Sequence, residues 1–88
     1  MDVLQFIALR GTERFEIVRE EGGQAYFVFR YENGRNTHDH YQTDVAMCRR
    51  CAEDLYGIAV SEWVTPSPVE IAAWKSRQSD LENSHPQG

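Results

Sequence analysis

The stretch Ala25-Tyr26-Phe27-Val28-Phe29-Arg30-Tyr31, with Glu32-Asn33-Gly34 directly after it, decides the fold. Aromatic and β-branched side chains dominate this stretch, and such residues favour strands. Successive side chains of a strand point to opposite faces, so Phe27 and Phe29 share one face while Val28 lies on the other. Asn33-Gly34 is a signal for a type I′ hairpin. It predicts a fourth strand over residues 35–41, which is polar and therefore belongs at an edge of the sheet.

Two further strands are predicted upstream of this stretch. Residues Val3 to Arg10 carry large apolar side chains without helical spacing, a pattern typical of a strand that is covered on both faces. Residues 14–20 largely alternate polar and apolar side chains, as a half-buried strand should. Gly22 and Gly23 can supply the positive φ that a tight hairpin requires. Consecutive strands are therefore predicted to pair as an antiparallel meander.

The hydrophobic period changes after the fourth strand, where a main helix is predicted over about residues 44–56. Apolar residues recur there at i, i+3, i+7 and i+10, which places on one helix face Val45, Cys48, Ala52 and Leu55. Thr43 or Asp44 can cap the first turn with a side-chain oxygen. Gly57 stands where the glycine that ends a helix belongs.

A second, short helix is predicted to begin at Ser67-Pro68-Val69-Glu70, because Ser67 and Glu70 have the spacing of a capping box. It is predicted to end at Trp74 or Arg77. Residues 79–88 are polar and close with His-Pro-Gln-Gly. Since they offer little apolar surface to offset the entropy lost on ordering, they are predicted to form a disordered tail.

These elements predict a single α+β domain over residues 1–78. Its architecture is an antiparallel three- to four-stranded meander with one main helix packed on one face and a short C-terminal helix. The predicted core consists of the large apolar residues of the strands and of the segment after the main helix, namely Phe6, Phe15, Ile17, Phe27, Phe29, Val45, Leu55, Ile58 and Trp63.

Composition narrows the classes of function. The chain has 88 residues, and its 14 acidic and 9 basic side chains give a formal charge of −5. Negative charge disfavours nucleic-acid binding and favours a basic protein partner. No apolar run approaches the roughly 20 residues that span a bilayer. The N-terminal segment has no basic region or cleavage pattern of a signal peptide, and two cysteines fit reducing conditions. The expected location is therefore the cytoplasm.

Roughly residues 25–64 resemble a pattern found in small uncharacterised bacterial proteins. The matching stretches are an Asn-Gly hairpin, a polar strand, a capped helix that ends in aromatic-Gly-Ile, and a later tryptophan: Tyr31-Glu32-Asn33-Gly34, Asp39 to Asp44, Ala52 to Ile58, and Glu62-Trp63. These motifs are a turn, a cap, a helix stop and a core aromatic. The resemblance therefore implies an origin and a local fold, and it brings no functional residue with it.

A metal or redox site is one hypothesis for the polar residues of the chain. His38 and His40 precede Cys48 and Cys51, and two imidazoles with two thiols could bind zinc. The spacing is unfavourable, because both cysteines fall within the predicted helix. The competing interpretation makes Cys48 a core residue and leaves the histidines on a solvent-facing strand. That interpretation is favoured, so no cofactor and no metal are expected.

An RNA-binding sheet is a second hypothesis. Tyr26, Phe27 and Phe29 could stack on bases, provided that four arginines lie together on the same surface, namely Arg30, Arg35, Arg49 and Arg50. Because Phe27 and Phe29 are strong core candidates and the chain is acidic, the core interpretation is favoured.

The favoured hypothesis is a small non-catalytic protein-binding module, such as an inhibitor or an immunity-type protein of a bacterium or phage. It depends on small size, acidity and the lack of a recognisable catalytic motif. Trp74, on the short terminal helix, either docks on the core or contacts the partner. It is the candidate for the partner contact, because buried aromatic anchors dominate many interfaces. The polar edge strand can also pair with a second copy, which makes a homodimer part of this hypothesis.

Overall fold

The computed structural model describes residues 2–83. It confirms the predicted α+β fold, in which four antiparallel strands follow one another across one sheet in the order β1-β2-β3-β4. The strands are β1 (Val3–Arg10), β2 (Glu13–Arg19), β3 (Tyr26–Glu32) and β4 (Arg35–Gln42). Two α-helices and one 3₁₀ turn follow, namely α1 (Val45–Tyr56), η1 (Val60–Glu62) and α2 (Pro68–Asn83).

The hairpin between β3 and β4 has the backbone that its sequence predicts. Asn33 has φ of 52° and Gly34 has φ of 81°, as the two central residues of a type I′ turn require. Across this hairpin Phe27 pairs with Tyr41, and Phe29 pairs with Asp39. The register shifts between Arg30 and Tyr31. Beyond that shift, the ladder from His38 to Gln42 is regular.

Helix α1 is capped at both ends by the residues that the sequence offers. The Oδ1 of Asp44, rather than the hydroxyl of Thr43, accepts a hydrogen bond of 2.8 Å from the backbone N–H of Met47. Gly57 ends the helix in the left-handed conformation, with φ of 68°. Cys48 and Ala52 are fully buried against the sheet. The middle of the predicted apolar stripe therefore faces the core.

The first face of the sheet is covered across β1, β2 and β3, and β4 is partly exposed at its side. Helix α1 lies over β3 and β4, and the segment that contains Ile58 and Trp63 continues the cover toward β1. Arg10 anchors this segment, because its Nε donates to Glu62 Oε1 at 2.8 Å and its Nη1 donates to the Tyr56 carbonyl at 2.9 Å. The resulting core holds Ala8, Phe15, Ile17, Val28, Cys48, Ala52, Ile58 and Trp63.

The second face carries a separate, smaller core under α2. Trp74 packs there on Leu4, Ile7 and Val18, with Phe29 partly buried at its side. The helix begins as predicted, since Glu70 N–H donates to Ser67 Oγ and Ser67 N–H donates to Glu70 Oε1. Within residues 2–83, no helix is both long enough and apolar enough to cross a membrane.

Helix α2 is longer than predicted. Its backbone continues to Asn83, six residues past Arg77, and so includes the first five residues of the predicted disordered tail. The reason is that residues 78–83 contain no glycine or proline to stop a helix. Residues 84–88 lie outside the described part of the chain.

The predicted core needs several corrections. Leu55 is 58% exposed, because the buried side of α1 turns toward Tyr56, whose ring packs 5.1 Å from that of Phe15. Phe6, Phe27, Phe29 and Val45 are only partly buried. The prediction also missed core residues on both faces: Leu4, Ile7, Ala8, Val18, Val28, Ala52 and Trp74.

Candidate partner-binding surface

The second face of the sheet is only half covered. Leu4, Ile7 and Val18, which α2 buries, all belong to β1 and β2. A helix is about 10 Å wide, and neighbouring strands lie about 4.8 Å apart, so one helix covers about two strands. The β3–β4 half of this face is therefore left largely open, with Phe29 packed at the border of the α2 core.

Three aromatic side chains, Phe27, Phe29 and Tyr41, occupy the open half and are called here the aromatic patch. The rings of Phe27 and Phe29 stack with centroids 5.7 Å apart and an interplanar angle of 17°. The ring of Tyr41 meets Phe27 edge-on at 5.8 Å. Tyr41 is 61% exposed, whereas Phe27 and Phe29 are half-buried. The patch therefore offers a rigid aromatic surface to solvent.

The carboxylate of Asp39 lies on the same face as the aromatic patch. Asp39 is directly opposite Phe29 in the ladder and two residues from Tyr41, and it is exposed. It forms no ion pair with the described residues. A second carboxylate, Asp2, lines the cleft beside Phe29. A third, Glu20, begins the turn after β2 and is two residues from Val18, the residue that pairs with Phe27.

A cleft of about 470 Å³ separates the aromatic patch from α2. Its walls include Phe29 and Tyr31 of β3, Trp74 and Gln78 of α2, and the polar residues Asp2 and Arg35. This volume falls within the range of about 300–1,000 Å³ that is typical of small-ligand sites. The cleft extends the aromatic surface inward from the patch.

Glu16 lies beneath this side of the molecule and is the only fully buried charged residue in the described chain, with 1% exposure. Its Oε2 accepts from Arg14 Nε at 2.7 Å and from Arg77 Nη2 at 3.4 Å. Burial, together with the negative charge of Glu16, raises the pKa of Tyr31 to about 12. The Tyr31 hydroxyl is therefore protonated at neutral pH and can donate a hydrogen bond.

Trp74, the residue predicted to contact a partner, is 3% exposed and packs in the second core. There it forms one wall of the cleft. The exposed aromatic ring of this face is that of Tyr41 on β4, and Phe27 and Phe29, which the sequence predicts to be core residues, are half-buried beside it.

A size argument could have identified this surface from the sequence. Four predicted strands make a sheet about 14 Å across from first to last strand, and one terminal helix is too narrow to cover it. Phe27 and Phe29 share a face, so they form an accessible aromatic surface when the helix covers the β1–β2 half. The sequence alone does not show which half α2 covers.

The four candidate metal ligands are not brought together. His38 and His40 stand on the α1 face of β4 with parallel rings 6.2 Å apart, and His40 Nε2 is 2.6 Å from the Tyr56 hydroxyl. Cys48 is buried in the first core, while Cys51 is half-buried on the flank of α1. Within residues 2–83, no three side chains among His, Cys, Asp and Glu are arranged to hold a metal ion.

The environment of Cys48 is that of a core residue. Burial raises the pKa of its thiol to about 12, and the nearby Cys51 and Asp44 act in the same direction. Since the thiolate is the form that reacts and binds metals, this thiol is inert at neutral pH. Cys48 is therefore unsuited to be the reactive cysteine of the redox hypothesis.

The four arginines of the RNA-binding hypothesis are divided between surfaces. Arg30 lies on the α1 face, where its Nη2 pairs with Glu13 at 2.7 Å and with Glu32 at 3.2 Å. The guanidinium of Arg49 stacks on Phe6 at 4.6 Å. Arg35 lines the cleft on the opposite face. Arg50 lies on α1 beside Asp54. Among the described residues, these arginines therefore form no continuous basic surface at the aromatic patch.

Comparison of the chain with protein-family models, with curated proteins and with solved structures found no match. The resemblance of residues 25–64 to small bacterial proteins therefore stays a prediction.

Proposed function

We propose that this protein is a small non-catalytic protein-binding module, of the inhibitor or immunity type, and that its partner binds the aromatic patch. The observation that carries the proposal is the open half of the second sheet face. There Phe27, Phe29 and Tyr41 form a contiguous aromatic surface on a rigid, hydrogen-bonded ladder. Aromatic side chains on a rigid scaffold supply much of the binding energy in protein interfaces.

The charge around the patch supports a basic partner. Asp39 is exposed on β4, opposite Phe29 and two residues from Tyr41, and Asp2 lines the cleft. An arginine or lysine of a partner could stack on Tyr41 and pair with Asp39. The formal charge of −5 would speed encounter with a basic protein.

The proposal is tested by recovering the partner on immobilised protein from an extract of the cells that produce it. Three baits are used in parallel: the wild-type chain, the Phe27→Ala/Tyr41→Ala variant, and a Val69→Ala control at an apolar side chain that is 78% exposed on α2. The candidate is then purified and titrated against each bait. We expect a basic protein that binds the wild type and the control, and that binds the patch variant at least about 30-fold more weakly, as for a hot spot worth 2 kcal/mol.

RNA binding is the second candidate, and the stacked rings of Phe27 and Phe29 on an open sheet favour it. The carboxylate of Asp39 beside those rings opposes it. Titration with single-stranded RNA at two salt concentrations separates the two functions. Tight binding that falls steeply with salt and is lost in the patch variant would replace the protein-partner proposal.

A further inference from the structure

We propose that two copies of this chain associate through the free edge of β4, and that their α1 helices pack against each other above the joined sheet. The two edges of the sheet differ. The β1 edge is interrupted at its middle by Val64, which exchanges backbone hydrogen bonds of 3.0 and 2.9 Å with Ile7. The outer edge of β4 pairs with no described segment.

From His38 onward, the β4 edge lacks most of the features that keep edge strands apart, and Asp39 is its one carboxylate. Such features include proline, lysine and bulges. The register shift opposite Arg30 and Tyr31 affects only the first part of β4. The remaining stretch, His38 to Gln42, contains no proline or lysine and keeps a regular ladder with β3. It is therefore competent to accept another strand.

An apolar stripe on α1 runs along this edge. Met47, Cys51 and Leu55 have i, i+4, i+8 spacing and lie on one flank of the helix. Met47 is 43% exposed and Leu55 is 58% exposed. Arg49 stacks on Phe6 of β1 from the opposite flank, whereas Gln42 of β4 lines a shallow depression with Met47 and Cys51. The stripe therefore faces outward beyond β4.

The spacing of strands and helices allows both contacts at once. Helix α1 lies over β3 and β4, so its axis is about one strand spacing from the edge. Pairing two β4 strands would place two α1 helices about two strand spacings apart, which is about 10 Å. Helices pack at 8–10 Å. The apolar stripes would then meet without any change in the fold of either copy.

The stripe is complementary to itself under two-fold symmetry. When two α1 helices cross antiparallel at Cys51, Met47 of each copy faces Leu55 of the other. The flanking charges Arg50 and Asp54 line the same depression, and each would approach its opposite on the second copy. At the end of α1, Tyr56 contacts His38 and His40 of β4. At its start, Met47 lies near Gln42. Cys51, midway along the stripe, is therefore about level with His40. Strand pairing centred there places Asp39 opposite Tyr41, and no like charges face each other.

Dimerisation would enlarge the surface on the opposite face. The two aromatic patches would join into one surface, the joined floor, which consists of β3 and β4 of both copies and is bounded on each side by an α2 helix. The dimer itself does not depend on the proposed function, since it concerns the chain alone, whereas the use of the joined floor by a partner does.

Mass measurement without any partner tests the dimer. Sedimentation equilibrium is run over a series of concentrations on the wild type, on Leu55→Glu, and on Val69→Glu as a matched control. We expect the wild type and the control to reach twice the chain mass of 10.2 kDa, and Leu55→Glu to remain monomeric with an unchanged circular dichroism spectrum. A wild type that stays monomeric, or a dimer that Leu55→Glu leaves intact, overturns the proposal.

Cross-linking tests the packing of α1 independently of whether Leu55→Glu folds. A short bismaleimide should join two wild-type chains through Cys51, which is half-buried, and should leave the buried Cys48 unmodified. The cross-linked dimer should disappear in Cys51→Ser and persist in Val69→Glu. A wild-type dimer that gives no cross-link through Cys51 contradicts the predicted crossing of the helices.

Discussion

At the scale of single residues, the two tryptophans hold opposite sides of the same sheet. Trp63 belongs to the core under α1 and is 7% exposed, while Trp74 belongs to the core under α2 and is 3% exposed. The sequence predicts a structural role for Trp63 and leaves Trp74 open between the core and a partner. It could not place Trp74, because the residues that bury it, Leu4, Ile7 and Val18, are distant in the chain.

Replacing either tryptophan by alanine should therefore cost about 3–5 kcal/mol. That is a large fraction of the roughly 5–15 kcal/mol that stabilises a small domain, so both variants should unfold at much lower urea concentration. Val69→Ala, at an exposed position of α2, should change the free energy of unfolding by less than about 0.5 kcal/mol. Urea unfolding followed by circular dichroism measures all three, and a Trp74→Ala variant as stable as Val69→Ala would refute this placement.

Cys48 should make stability fall in alkaline solution. Burial raises the pKa of its thiol from 9.0 to about 12, so between these values the unfolded chain loses the proton more readily than the folded chain. This contribution to stability is complete below about pH 9 and is lost as the pH rises toward 12. The free energy of unfolding should therefore decline less steeply over this range in Cys48→Ala than in the wild type. Equal slopes would show that the thiol is not buried as described.

At the scale of elements, the ends of helices and strands could be predicted because local chemistry determines them. The Asn33-Gly34 turn, the caps of α1 and the capping box of α2 are all confirmed. Each depends on residues at most four apart in the chain. The faces that elements bury could not be predicted as well, because β3 carries apolar side chains on both sides.

Asp44 provides a direct test of the local account of α1. Its carboxylate caps the helix through the Met47 N–H at 2.8 Å, so Asp44→Ala should lower stability by about 1 kcal/mol. Thr43, the alternative cap in the sequence, makes no such bond, and Thr43→Ala should have little effect. Thermal unfolding of the two variants compares them, and the reverse order would mean that the cap is misassigned.

At the scale of the whole molecule, the fold has a closed side and an open side. One face of the sheet is covered by α1 and the segment after it, whereas on the other α2 covers β1 and β2 and reaches Phe29 at the near side of β3. The sequence includes an aromatic sheet surface as the disfavoured alternative, because Phe27 and Phe29 are also strong core candidates. Part of the aromatic surface stays exposed because one helix is too narrow to cover four strands.

The affinity of the purified partner for Tyr41→Ala tests the central claim most directly. Tyr41 is 61% exposed and touches only the edge of the Phe27 ring in the patch, so its truncation should leave the fold and the melting temperature nearly unchanged. We predict that isothermal titration will show binding at least about 30-fold weaker than for the wild type. An unchanged dissociation constant in a folded Tyr41→Ala variant would contradict the claim that the aromatic patch is the binding surface.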